Sequence, residues 1–155
     1  MEYFRPTTRP GGSARIVPMR YVILILALAG AAVAALALRV HYDTGTEPCS
    51  INEKWDCGIV NHSSYAEIAH VPVAAVGIVG YLVLAGLGLM RRHILLAVAS
   101  VVGLGFALYL SGIEKNVLQV WCLYCVISQG IIALITLLSL IWLGWAQVAS
   151  RRGRV

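Results

Sequence analysis

The stretch VLQVWCLYCVISQGIIALITLLSLIWLGWA, residues 117–146, decides the fold. It holds no charged residue, and about 20 mainly apolar residues suffice for a helix to cross a bilayer. The run is longer than a bilayer requires. It therefore reads as a transmembrane helix that starts above the hydrocarbon and is tilted or sheltered by protein. Two cysteines, Cys122 and Cys125, stand where it opens.

Three more apolar runs lie upstream. One is Tyr21 to Leu38, between Arg20 and Arg39; the next is Val71 to Met90, stopped by Arg91 and Arg92. The third is Ile94 to Ile113, stopped by Glu114 and Lys115. A hydrophobic content of 59% and a mean hydropathy of +0.81 exclude an ordinary soluble domain. The expected fold class is all-α: an integral membrane four-helix bundle with one extracytoplasmic cysteine-bearing loop. Its spans are expected at about 21–38, 71–90, 94–113 and 120–146. The first span has the Arg-rich start of a signal peptide, but its apolar run exceeds the usual signal core, and cleavage would break the charge pattern.

That pattern orients the chain. With the N-terminus inside, the inner segments hold Arg5, Arg9, Arg15, Arg20, Arg91, Arg92, Arg151, Arg152 and Arg154, against the single acid Glu2. The outer segments hold Arg39, Lys54 and Lys115 among Asp43, Glu47, Glu53, Asp56, Glu67 and Glu114. Both termini are then cytoplasmic and all four cysteines extracytoplasmic. The net charge of +5 is topological, and no basic patch interleaved with aromatics suggests nucleic acid. Residues 1–16 read as a disordered cytoplasmic tail, 17–147 as the four-span redox domain and 148–155 as a basic cytoplasmic tail.

The cysteines carry the chemistry. Cys122-Leu-Tyr-Cys125 is a C-x-x-C motif at a helix start, where residues three apart share a face and the partial positive charge favours a thiolate. Thiolates attack disulfides and add to electron-poor rings, and a lipid-facing pair lies beside quinones. Cys49 and Cys57 lie in a water-facing loop read as flexible, able to close a disulfide, meet an outside protein or swing toward Cys122. A two-step redox relay follows from that placement. Two alternatives stand beside it: loop-stapling disulfides, and a structural zinc held by four sulfurs. A C-x-x-C disulfide staples almost nothing, and zinc usually favours a second tight pair, whereas seven residues separate Cys49 from Cys57. No metal is expected.

Among the histidines, His41, His62, His70 and His93, none forms a metal-binding pattern. His62 can offer a hydrogen bond to a quinone oxygen, or simply pack in its loop. Gln129, one helical turn below Cys125, can offer its amide to the same ring, or pack inside the bundle.

Taken together, Cys49-x7-Cys57, Ser63 six residues later, Val71-Pro72-Val73 with Gly77, and Cys122-Leu-Tyr-Cys125 resemble the vitamin K epoxide reductase family over roughly residues 17–147. The bacterial disulfide-generating quinone reductases also have four spans, but carry C-x-x-C in the first outer loop. The resemblance implies that Cys125 touches the quinone as a thiolate adduct or charge-transfer contact. It implies that Cys122 resolves that contact and exchanges with Cys57, and that Cys49 meets the soluble partner. Ser63 matches the family's Ser/Thr near the redox centre. The implied cofactor is ubiquinone, menaquinone or a related quinone. The implied partner is a separate thioredoxin-fold (DsbA-like) protein, since many bacterial relatives carry such a domain fused. The implied setting is a bacterial inner membrane and its lipids. Quinone recycling as a vitamin K epoxide or quinone reductase is the alternative activity. Vertebrate members carry Thr-Tyr-Ala where this chain has Ser128-Gln129-Gly130.

Overall fold

The computed structural model describes residues 16–43, 49 and 51–152. The N-terminal tail expected at 1–16 falls outside them except for Ile16, which opens the first helix, and 153–155 at the C-terminus also fall outside. Five helices follow: α1 (Ile16–Tyr42), the short α2 (Cys57–Asn61), α3 (Val73–Leu89), α4 (His93–Ile113) and α5 (Leu123–Arg152). Three of the four long ones are long and apolar enough to cross a membrane; α3, at 17 residues, is shorter but equally apolar. At 1.5 Å per residue α3 spans about 26 Å and the 30-residue α5 about 45 Å, so α5 overreaches the others at its ends.

The helices pack as an open ring. α1 packs most extensively on α3 and α5, α5 also lies along α4, and α3 and α4 make the sparsest contact of the neighbouring long-helix pairs. The core along this ring is Ile23, Ala27, Ala34, Tyr81, Leu84, Ala85, Leu96, Ile132, Ile135 and Trp142. Large apolar side chains such as Ile25, Leu28, Val79, Leu82, Val98, Leu134 and Leu137 point outward on all four long helices. Contiguous apolar exterior of that kind is tolerable in lipid and not in water.

Small residues decide how close the backbones come. At Gly30 a Cβ would collide with the ring of Tyr81, so that position has to be glycine for Tyr81 to lie against α1. At Gly77 a Cβ would only reach ordinary contact with Ala34. In the half of the bundle away from the cysteines the buried hydroxyls of Ser100, Thr136 and Ser139 bond to one another and to local carbonyls, while Trp142 Nε1 and His93 Nδ1 are buried without a hydrogen-bond partner among the described residues. Ser100 Oγ and Ser139 Oγ lie 2.9 Å apart, and Thr136 Oγ1 donates to the Ser100 carbonyl at 3.1 Å.

The turn between α3 and α4 is a Schellman closure. Arg92 N donates to Leu87 O at 3.1 Å and Arg91 N to Gly88 O at 3.3 Å, with Arg91 left-handed at φ 55°. At its other end α4 runs on past Glu114, where hydropathy places the break. The helix widens into a π turn over Glu114–Leu118 and ends at Gln119, left-handed at φ 56°. Between α2 and α3 a 3-10 turn (Ser64–Ala66) leads into a two-residue hairpin, β1 (Glu67–Ile68) against β2 (Val71–Pro72).

Candidate functional site

Cys49 and Cys57 form a disulfide with their Cα atoms 5.7 Å apart, while Cys122 and Cys125 are free thiols. The two pairs meet. Cys49, Cys57 and Cys122 are buried in one cluster with Val40 and Val60, and Cys125 packs against it. The water-facing loop read from the sequence is folded in instead: Cys49 is 2% exposed and Cys57 fully buried.

Main-chain hydrogen bonds hold that arrangement. Asn52 Oδ1 accepts from the amides of Lys54 and Trp55 at 3.0 and 3.1 Å, making a tight turn. The far side of the turn pairs with the segment entering α5. Trp121 N donates to Lys54 O at 2.8 Å and Asp56 N to Trp121 O at 3.1 Å. Asp56 then caps α2, its Oδ1 accepting from Ile59 N at 3.0 Å. This ties the residue before Cys57 to the residue before Cys122.

Cys122 occupies the cap position of α5. Its Sγ accepts from Cys125 N at 3.4 Å, three residues on, as a capping oxygen would. Asn61 Nδ2 lies 3.6 Å from the same sulfur and also donates to Cys57 O at 2.8 Å. The hydrogen bond from the Cys125 thiol holds Cys122 below the ordinary thiol range, against burial and the Glu114 charge, which push it up. A low-pKa sulfur is the better leaving group in thiol–disulfide exchange.

A cavity of about 560 Å³ opens below Cys125. Phe106, Tyr81, Gly80, Leu84 and Ile132 make its walls apolar, while Ser63, Asn61, Ser128 and Glu114 add polar atoms. Such a volume suits an aromatic ring with a few fixed polar contacts. Val76, Val83 and Val102 line the cavity and are also exposed on the outside of α3 and α4, so its mouth lies at the sparse seam between these two helices. Tyr81 is fixed there by its hydroxyl, 2.8 Å from both the carbonyl and the Oγ of Ser128.

The residues singled out from the sequence divide. Cys125 and Ser63 line the cavity, Ser63 with its hydroxyl donated to Val60 O at 2.7 Å. His62 does not line it: its Nδ1 lies 2.8 Å from Gly58 O and its ring stacks on His41. Gln129 is turned to α4, where Ser111 donates to its amide oxygen. Trp55 and Trp121 lie against each other with ring centroids 6.4 Å apart. Asn61, Tyr81 and Glu114 were not legible as site residues. Glu114 was visible as an acid at a span boundary, a signal that normally marks only where a helix leaves the membrane.

The family model for "Vitamin K epoxide reductase family" matches residues 21–140, most of the chain. This chain belongs to that family. Comparison with individual curated proteins finds no match. Vitamin K epoxide reductase family members are oxidoreductases, and the membership points to membrane redox activity through cysteines. With three long apolar helices, this member is an integral membrane protein. Among the described residues, no group of three His, Cys, Asp or Glu is placed to hold a metal ion.

Proposed function

We propose that this chain is a quinone-dependent thiol–disulfide oxidoreductase that drives disulfide formation outside the cytoplasm. A four-span bundle, N-terminus inside, would place both cysteine pairs at the outer rim, in a bacterial inner membrane. Electrons run from a DsbA-like thioredoxin-fold partner to Cys49/Cys57, then to Cys122/Cys125, then to a quinone in the cavity. The observation that carries this reading is the disulfide of one pair buried against the free thiols of the other, at the closed end of an apolar cavity.

The redox state fits one step of that path. Cys57 attacks a Cys122–Cys125 disulfide at Cys122, and Cys49 then attacks Cys57 and expels Cys122. The products are a Cys49–Cys57 disulfide and a reduced helix pair, the state described above. The lowered pKa of Cys122 favours its expulsion. With two sulfurs joined, a four-sulfur zinc site has lost half its ligands. The main-chain pairing of the loop to Trp121 brings the sulfur pairs together, which a mere staple does not require.

The test is purified protein in lipid with a short-chain quinone and a reduced DsbA-like protein, following the ring's ultraviolet absorbance. Quinone reduction stoichiometric with partner oxidation is expected; its absence overturns the reading. Replacing Cys49 and Cys125 together by Ala should leave a Cys57–Cys122 disulfide, seen by mass spectrometry.

A further inference from the structure

Among the described residues Glu114 is the only carboxylate or basic side chain that is fully buried, at 3% exposure. Its neighbours Lys115 and Asn116 are exposed. A buried carboxylate inside a membrane bundle is costly and calls for a partner or a task. The ion pair between His41 and Glu67 lies elsewhere and does not involve it. Its partners belong to the redox pair instead. Glu114 Oε2 accepts from Cys122 N at 3.2 Å, and Cys125 lines the same cavity as Glu114. Glu114 lines the cavity beside Cys125, at the point where α4 widens into a π turn, a local form frequent at functional sites.

The Cys125 thiol thus sits with two acceptors, the Cys122 sulfur, which the Cys125 amide contacts at 3.4 Å, and the Glu114 carboxylate on the shared cavity. Cys125 cannot give electrons while it keeps that proton, and a bound ring shuts water away from it. We infer that Glu114 is the proton carrier of the site: its carboxylate takes the proton of Cys125 and passes it to an oxygen of the quinone. The inference rests on the oxidoreductase reading above.

The step balances. The step begins from the Cys122 thiolate and the Cys125 thiol. The Cys125 S–H bond breaks toward Glu114 and a Cys122–Cys125 S–S bond forms. Two electrons pass to the quinone, which leaves as hydroquinone. One of its new O–H protons has come from Cys125 through Glu114 and the other from water. Glu114 ends as a carboxylate again.

The titratable groups acting on Glu114 are the thiols of Cys122 and Cys125, from the entry and first turn of α5. Tyr65, Tyr81 and Tyr124 share the cavity from the 3-10 turn, α3 and α5. Glu114 accepts a proton only when ionised, so the rate of quinone reduction falls on the acid side as Glu114 protonates.

The decisive experiment uses the native protein, Glu114→Gln and Glu114→Asp in lipid nanodiscs, reduced beforehand and mixed rapidly with a short-chain ubiquinone at a series of pH values. Glu114→Gln should slow quinone reduction on the order of 100-fold, the usual contribution of a positioned acid–base group. Its acid limb should shrink to the fall set by the Cys122 thiolate, losing the limb that Glu114 adds. Glu114→Asp should recover part of the rate and keep that limb. Electron transfer from the loop pair to the helix pair, followed by acid quench and thiol trapping, should stay close to native in both variants. A native rate and pH profile in Glu114→Gln overturns the inference, as does equal slowing of both half-reactions. If Glu114→Gln fails to fold, a native rate in Glu114→Asp overturns it. If the native protein itself leaves the quinone oxidised, the oxidoreductase reading fails first.

Discussion

The two ends of the bundle solve the burial of polar groups differently. At the end away from the cysteines, Ser100, Ser139 and Thr136 bond to one another and to local carbonyls. The fully buried Trp142 ring packs edge-on to His93 at 4.5 Å. At the cysteine end, Asn61, Ser128 and Glu114 are aimed at sulfur or into a cavity. The same residue classes thus serve as glue in one half and as site in the other. The discriminator is whether a polar group's partners are other helix atoms or reactive ones.

Four changes would break or sharpen that contrast. Cys125→Ala should abolish quinone reduction while leaving thermal unfolding near native, since Cys125 packs only at the edge of its cluster. The same variant removes the hydrogen bond that does most to lower Cys122, so the Cys122 titration should move up toward that of an ordinary thiol. Alkylation of Cys122 as a function of pH measures this; its rate at neutral pH should fall, because less thiolate is present.

Trp142→Ala should do the reverse. Emptying a fully buried ring position costs about 3 kcal/mol, read as loss of thermal stability in detergent, with quinone turnover per folded molecule unchanged. If turnover falls with stability, the two ends are coupled and the contrast fails.

Gly30→Ala falls between them. The added methyl must displace the Tyr81 ring, at roughly 1–3 kcal/mol of strain, and so disturbs the Tyr81–Ser128 contact at the cavity wall. A several-fold rise in the KM for quinone is expected, with exchange between the cysteine pairs intact. An unchanged KM would show that Tyr81 is structural packing only.

Asn61→Ala should have the smallest effect. The amide is the weakest of the influences lowering Cys122, so exchange between the cysteine pairs should slow only a few-fold at neutral pH and recover as pH rises. A loss that persists at high pH would mean that Asn61 acts on the position of α2, through its bond to Cys57 O, rather than on the sulfur.

Much of the fold was legible because hydropathy and charge are local. Arg20, Arg39, Arg91 and Arg92 bound apolar runs whatever the helices do afterwards, and C-x-x-C announces a thiol pair at a helix start. At the site, the sequence names the four sulfurs and Ser63, and the structure gathers the sulfurs in one cluster with Ser63 on the cavity wall. Helical periodicity gives the face of Gln129 but not its neighbour, which is Ser111 of α4. His62 was similarly drawn to Gly58 and His41.

What the sequence by itself determined is a thiol-bearing, lipid-soluble helical protein, because transfer of side chains into a bilayer depends on composition over about 20 residues and not on packing. Only the tertiary structure decided that the loop would be zipped to Trp121, that α3 and α4 would stand apart around a cavity, and that Glu114 would turn inward. Those outcomes depend on which main-chain and polar groups lack partners once the helices have packed. That is a property of the assembled bundle, which no single segment carries.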